Sequence, residues 1–171
     1  SKSRLENKGL LPNEMGWFPE KITTDIDAII LGMHAKADNP ELLKAQELGL
    51  KILYVGCETG DTELLSLVNK GETFESSLDA LQKIKAAEIK ASVMILNGLG
   101  GPKYSKQHAL ASAELMNKAQ PEYLSTLILE FPLGSERFER GFNGEWRALS
   151  KVELFQEMKL LMENLNLNKT I

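Results

Sequence analysis

Apolar residues along this chain fall into short, mostly apolar runs, the first of them continuous, separated by stretches in which they recur every three or four positions. The runs are Asp27-Ala28-Ile29-Ile30-Leu31-Gly32, Lys51 to Gly56, Ala91 to Leu96 and Tyr123 to Phe131. Runs of this kind and length are the pattern of strands buried on both faces of a parallel sheet. The stretches between them read as helices. Asn39 caps the first, with Pro40 and Glu41 in its opening turn, Leu42, Leu43, Ala45, Gln46 and Leu48 along a stripe, and Gly49 as a left-handed stop. Asp61 or Thr62 opens a short helix with Leu64, Leu65 and Val68, and Thr73 opens a longer one with Leu78, Leu81 and Ile84. A helix capped by Ser105 follows the turn Gly98-Leu99-Gly100-Gly101-Pro102. Residues 132–147 read as an irregular loop. A last helix spans about Ser150 to Asn164, with Val152, Phe155, Met158, Leu161, Met162 and Leu165 on its apolar face.

Alternation of strand and helix predicts an α/β domain over residues 1–171. The expected form is a three-layer sandwich, Rossmann- or flavodoxin-like, with a mainly parallel sheet of about four to five strands and helices on both faces. There are too few βα units to close a barrel. Residues 1–24 are polar and rich in turns. In such sheets ligands sit beyond the carboxyl ends of the strands, which directs attention to Gly32–Asp38, Gly56–Asp61, Asn97–Lys103 and Glu130–Glu136.

Composition narrows the chemistry. Of 171 residues, 43% are hydrophobic and 26% charged, with a formal net charge of −4. These values fit a globular domain and leave no basic field for nucleic acid or anionic membrane. The one cysteine, Cys57, allows no intrachain disulfide and no all-cysteine metal site. No apolar run reaches the length of a membrane span and Ser1-Lys2-Ser3-Arg4 does not begin a signal peptide, so a cytoplasmic location is the expectation.

Two stretches say more. Leu53-Tyr54-Val55-Gly56-Cys57-Glu58-Thr59-Gly60-Asp61, Asn69 to Thr73, Val93-Met94-Ile95-Leu96-Asn97-Gly98-Leu99-Gly100-Gly101, Ser105 to His108, Pro121 to Ser125 and Phe131-Pro132-Leu133-Gly134-Ser135 follow one another in order. Residues 53–171 thereby resemble the C-terminal half of a radical S-adenosylmethionine (SAM) enzyme barrel. That resemblance implies a SAM-facing pattern at Gly56, Glu58, Thr59 and Gly60, with Thr59 where serine is usual. It also implies a Gly-rich turn near the adenine at Asn97, Gly98, Gly100 and Gly101. The family's iron–sulfur cluster needs a three-cysteine loop, which is absent here along with the first half of the barrel. SAM is therefore a cofactor by resemblance only, with no iron–sulfur cluster and no catalytic residue expected.

The second stretch runs from Glu14 to Thr23 and on through Asp27-Ala28-Ile29-Ile30-Leu31-Gly32-Met33-His34-Ala35 and Asp38 to Leu42. Residues 1–52 thereby resemble part of the N-terminal UDP-binding domain of UDP-N-acetylmuramate–alanine ligase, without its Gly-rich first turn. No ATP phosphate loop occurs anywhere in the chain. The two fragments meet inside one strand, near Ile52–Leu53, where the hydrophobic register is kept. This reads as an engineered chimera with no complete active site, an assembly error in a genome-derived sequence being the other explanation. Two further readings are a SAM- or nucleotide-binding module, and a radical SAM fragment that needs a partner carrying the cluster.

Each candidate also has an ordinary structural explanation. His34 follows a strand end and is the substrate-binding candidate, or simply a loop histidine. Glu58 faces SAM by resemblance, or it is a carboxylate favoured at a helix start. The glycines bring amides to a phosphate or adenine, or merely make tight turns. Cys57 reads as a small half-buried thiol. Two histidines without a spacing signature make no zinc site. Sheet edges left bare by the missing half-barrel make a homodimer the expected partner.

Overall fold

A computed structural model describes residues 16–25, 39–132 and 134–171. After a 3₁₀ turn at Pro19–Lys21 come helix α1 (Pro40–Glu47), strand β1 (Ile52–Glu58), helices α2 (Thr62–Leu67) and α3 (Phe74–Ala86), and strand β2 (Lys90–Asn97). Then follow helix α4 (Gly101–Ala119), strand β3 (Tyr123–Ile128), a short helix α5 (Glu136–Glu139), a 3₁₀ turn at Arg140–Phe142, and helix α6 (Lys151–Asn164).

The caps explain most of these boundaries. Asn39 accepts hydrogen bonds from the Glu41 and Leu42 amides, and Gly49 beyond α1 has a φ of +88°. Asp61 caps α2 through the Leu64 amide. Thr73 and Ser76 cap each other at α3, as Ser150 and Glu153 do at α6. Helix α4 differs from the sequence reading. It begins at Gly101, with Pro102 in its first turn, and Ser105 lies inside it. Gly98 (+84°) and Gly101 (+57°) take positive φ where the chain turns into it, and no side chain caps its start. The expected loop at 132–147 contains α5 and a 3₁₀ turn. Phe138 and Phe142 pack there with Phe131 and Trp146, and burying those rings holds the segment in turns.

The three strands are parallel in the order β1-β2-β3. The sheet is open, and it has three strands among the described residues where four to five were expected. The predicted strand Asp27–Gly32 lies outside those residues, and the last run stops pairing at Ile128. Among the described residues the main core lies on one face of the sheet. Leu53, Val55 and Cys57 of β1 and Ala91, Val93 and Ile95 of β2 join Leu42, Leu81, Ala109, Ala113, Met116 and Leu161 in a single core. On the other face Tyr54 and Leu127 are exposed, and Ile52, Gly56, Ser92, Met94 and Leu96 are half-buried.

The last helix is rotated from the stripe that its periodicity suggests. Glu157 and Leu161 point inward, while Val152, Phe155 and Met162 are exposed. The Glu157 carboxylate accepts hydrogen bonds from the Gly98 amide (2.7 Å) and the Ser105 hydroxyl (2.6 Å). Those two partners, supplied by the β2–α4 turn and by α4, set the face that α6 presents to the core.

Candidate functional site

The strand ends carry the candidate residues in two turns. The first follows β1. Its ladder with β2 slips by one residue between Gly56 and Glu58, a bulge that leaves Cys57 unpaired. Glu58 then takes a φ of +64°, which a non-glycine residue adopts only at a cost of about 1 kcal/mol or more. Its carboxylate lies 2.9 Å from Lys70 Nζ, and both side chains are half-buried. Gly56 leaves room for that carboxylate: a Cβ there would stand 2.9 Å from Glu58 Oε1. At Gly60 a Cβ would come within 2.2 Å of the Ala111 carbonyl oxygen on α4. Close approach to α4 therefore demands the glycine, and the Gly60 amide donates to Ser112 Oγ at 3.1 Å.

The second turn follows β2. Asn97 is fully buried on the helix-covered face, and neither its Oδ1 nor its Nδ2 has a protein partner among the described residues. The Gly98 amide is held by Glu157. At Gly101 a Cβ would meet the Arg147 carbonyl oxygen at 2.8 Å and the Trp146 indole at 3.0 Å. Trp146 Nε1 donates to the Leu99 carbonyl oxygen at 3.0 Å, fastening the turn from outside. At Gly100 a Cβ would fall 2.6 Å from Tyr104 Cβ. Packing thus accounts for Gly60, Gly100 and Gly101 before any ligand is considered.

The two turns are joined through the interior. Thr59 is fully buried; its Oγ1 accepts from the Asp61 amide at 3.0 Å and lies 2.8 Å from His108 Nδ1. His108 Nε2 is 3.8 Å from Glu157 Oε1, with both side chains almost wholly buried. Desolvation lowers the His108 pKa to about 4, against the attraction of Asp61, so the imidazole is neutral at physiological pH. Desolvation raises the Glu157 pKa, opposed by its bonds from Ser105 and Gly98.

This interior pair escaped the sequence reading. One signal was available: an acidic residue between Leu154 and Leu161, on the stretch of α6 that turns inward. Cys57 is fully buried, and burial, with Glu58 adding to it, pushes its thiol up to about 12. It is a protonated core thiol. A lone buried cysteine does not fit an iron–sulfur cluster, and no group of three or more His, Cys, Asp or Glu suited to a metal ion occurs among the described residues. Gly56, Glu58, Thr59 and Gly60 stand at the same end of the sheet as Asn97, Gly98, Gly100 and Gly101, while His34 lies outside the described residues. No described helix is long and apolar enough to cross a membrane.

No family model matches the chain, and no curated protein matches it. Among solved structures it is similar to the archaeal Methanocaldococcus infernus Elp3 with an N-terminal deletion, at a TM-score of 0.60 and 19% identity. That likeness covers 73% of this chain and 30% of the Elp3 chain, so it concerns the fold of a part. At that identity the likeness is one of α/β fold over the shared part. These findings lend no support to a muramate-ligase-like segment in residues 1–52.

Proposed function

We propose that this chain is a half-barrel of the radical SAM type that presents a half-site for S-adenosylmethionine without cluster chemistry of its own. Glu58 carries the reading. A half-buried carboxylate, held by Lys70 at the bulged end of β1, stands beside a glycine turn at the same end of a parallel sheet. Such a carboxylate accepts hydrogen bonds from an amine or a ribose, and the resemblance assigns the Gly98–Gly101 turn, at the end of the neighbouring strand β2, to the adenine. The fold likeness to Elp3 supports the ancestry, and its coverage of only 30% of that chain favours a second reading, a fragment completed by a polypeptide that brings the cluster. The joint proposed near Ile52–Leu53 falls at the start of β1, where the register with Lys90 and Ala91 is unbroken. Recombination there would keep the sheet intact.

The test is a two-dimensional amide spectrum titrated with SAM and, separately, with UDP. SAM should shift Gly56 to Gly60 and Gly98 to Gly101, and Glu58→Gln should weaken that response about tenfold or more. A spectrum indifferent to millimolar SAM refutes the half-site.

A further inference from the structure

Strand β3 has the composition of an interior strand and the exposure of an edge. Leu124, Leu127 and Ile128 place apolar side chains on both faces, and the strand contains no lysine or proline to discourage pairing. Burial falls sharply from β2 to β3. Asn97 is fully buried, while its register partner Ile128 is 54% exposed; Leu96 is half-buried, while Leu127 is 53% exposed.

The backbone shows how this edge accepts a neighbour. In a parallel ladder, alternate residues turn both N–H and C=O to the same side. The Leu129 amide reaches inward to the Asn97 carbonyl oxygen at 3.0 Å, so Leu124, Thr126 and Ile128 face outward. On that outer side the Ile171 amide donates to the Glu122 carbonyl oxygen, and the Leu124 amide donates to the Ile171 carbonyl oxygen, each at 3.0 Å. That reciprocal pair is the hydrogen bonding of one parallel bridge, Ile171 opposite Tyr123. Past it, Thr126 and Ile128 have no outward backbone partner among the described residues.

We propose that the outer edge of β3 is a docking site for one more extended polypeptide strand, parallel to β3, apolar on both faces and continuing the register that Ile171 begins. This inference does not depend on the SAM reading. The test tethers such a strand to the full chain: Thr-Val-Ile-Val-Thr is appended after Ile171, which gives it a high effective concentration at the edge. Amide hydrogen exchange at Thr126 and Ile128 should slow about tenfold or more, with Val93 unchanged. The same extension with proline at the two positions that donate to β3 should give no protection. Equal protection by both extensions, or by neither, overturns the proposal. So does an unextended chain whose Thr126 and Ile128 amides are already protected and whose light scattering gives the mass of a dimer, because a second copy would then hold the edge.

Discussion

Replacing His108 with leucine should trade stability at neutral pH for resistance to acid. In the folded chain the imidazole is buried and neutral, its pKa lowered by desolvation from the ordinary 6.5 to about 4. A base whose folded pKa is depressed binds its proton more readily when unfolded, so acidification through 6.5 towards 4 favours unfolding. At about 1.36 kcal/mol per pH unit, the complete loss is about 3 kcal/mol. Glu157 works in the opposite sense. Its pKa is raised on folding, so its charge is a cost at neutral pH that acid relieves. The wild-type slope mixes the two, and the difference between the variants isolates His108.

His108→Leu loses the contact with Thr59, whose hydroxyl keeps its bond from the Asp61 amide. That should cost about 1–2 kcal/mol near pH 7. By about pH 4.5 the variant should match or exceed the wild type. Urea unfolding followed by the fluorescence of Trp146, buried in the aromatic cluster, gives both free energies. Parallel stability curves for the two proteins between these pH values would refute the assignment of the acid-labile group.

Glycine substitutions separate packing from backbone conformation. Gly60→Ala drives a Cβ to 2.2 Å from the Ala111 carbonyl oxygen and should cost about 3 kcal/mol or more in urea unfolding. Gly49→Ala meets open space at a φ of +88° and should cost only about 1 kcal/mol. Glu58→Gly removes a left-handed non-glycine residue and one half-exposed ion pair, so its thermal midpoint should hold or rise slightly while any SAM-induced amide shifts disappear. Cys57 should resist a thiol reagent such as DTNB in the native chain at neutral pH and react fully in urea; rapid native labelling would contradict its burial.

Strands β1 and β2 were legible because buried parallel strands demand mostly apolar runs, β3 by its β-branched and apolar residues despite its exposure, and helices α1, α2, α3 and α6 because Asn39, Asp61, Thr73 and Ser150 cap them. Local chemistry decides both kinds of feature. The facing of α6 was not legible. Periodicity groups Val152, Phe155 and Met162 with Leu161, yet hydrogen bonds to Glu157 from residues far along the chain turn the helix away from that stripe. The start of α4 was misplaced for a similar reason: Ser105 looks like a cap in isolation, but its hydroxyl serves Glu157. The candidate glycines were found, although what they accommodate at Gly60 and Gly101 is the neighbouring backbone and Trp146. Sequence proximity cannot show that His108 and Glu157 lie side by side in the interior.

The interior polar links have a kinetic consequence. Thr59 and His108 are 49 residues apart, Gly60 and Ser112 are 52 apart, and Gly98 and Glu157 are 59 apart. Each link closes a long loop, so each waits on the packing of elements already formed. During synthesis, β1, β2 and α4 precede α6, and the Gly98 amide, Ser105 and His108 wait for Glu157 until that helix arrives. We predict that α6 docks late in folding, and a Glu157→Gln variant that slows refolding as much as it destabilises the chain would refute this. On that prediction, substitutions at Glu157 should act mainly on the unfolding rate.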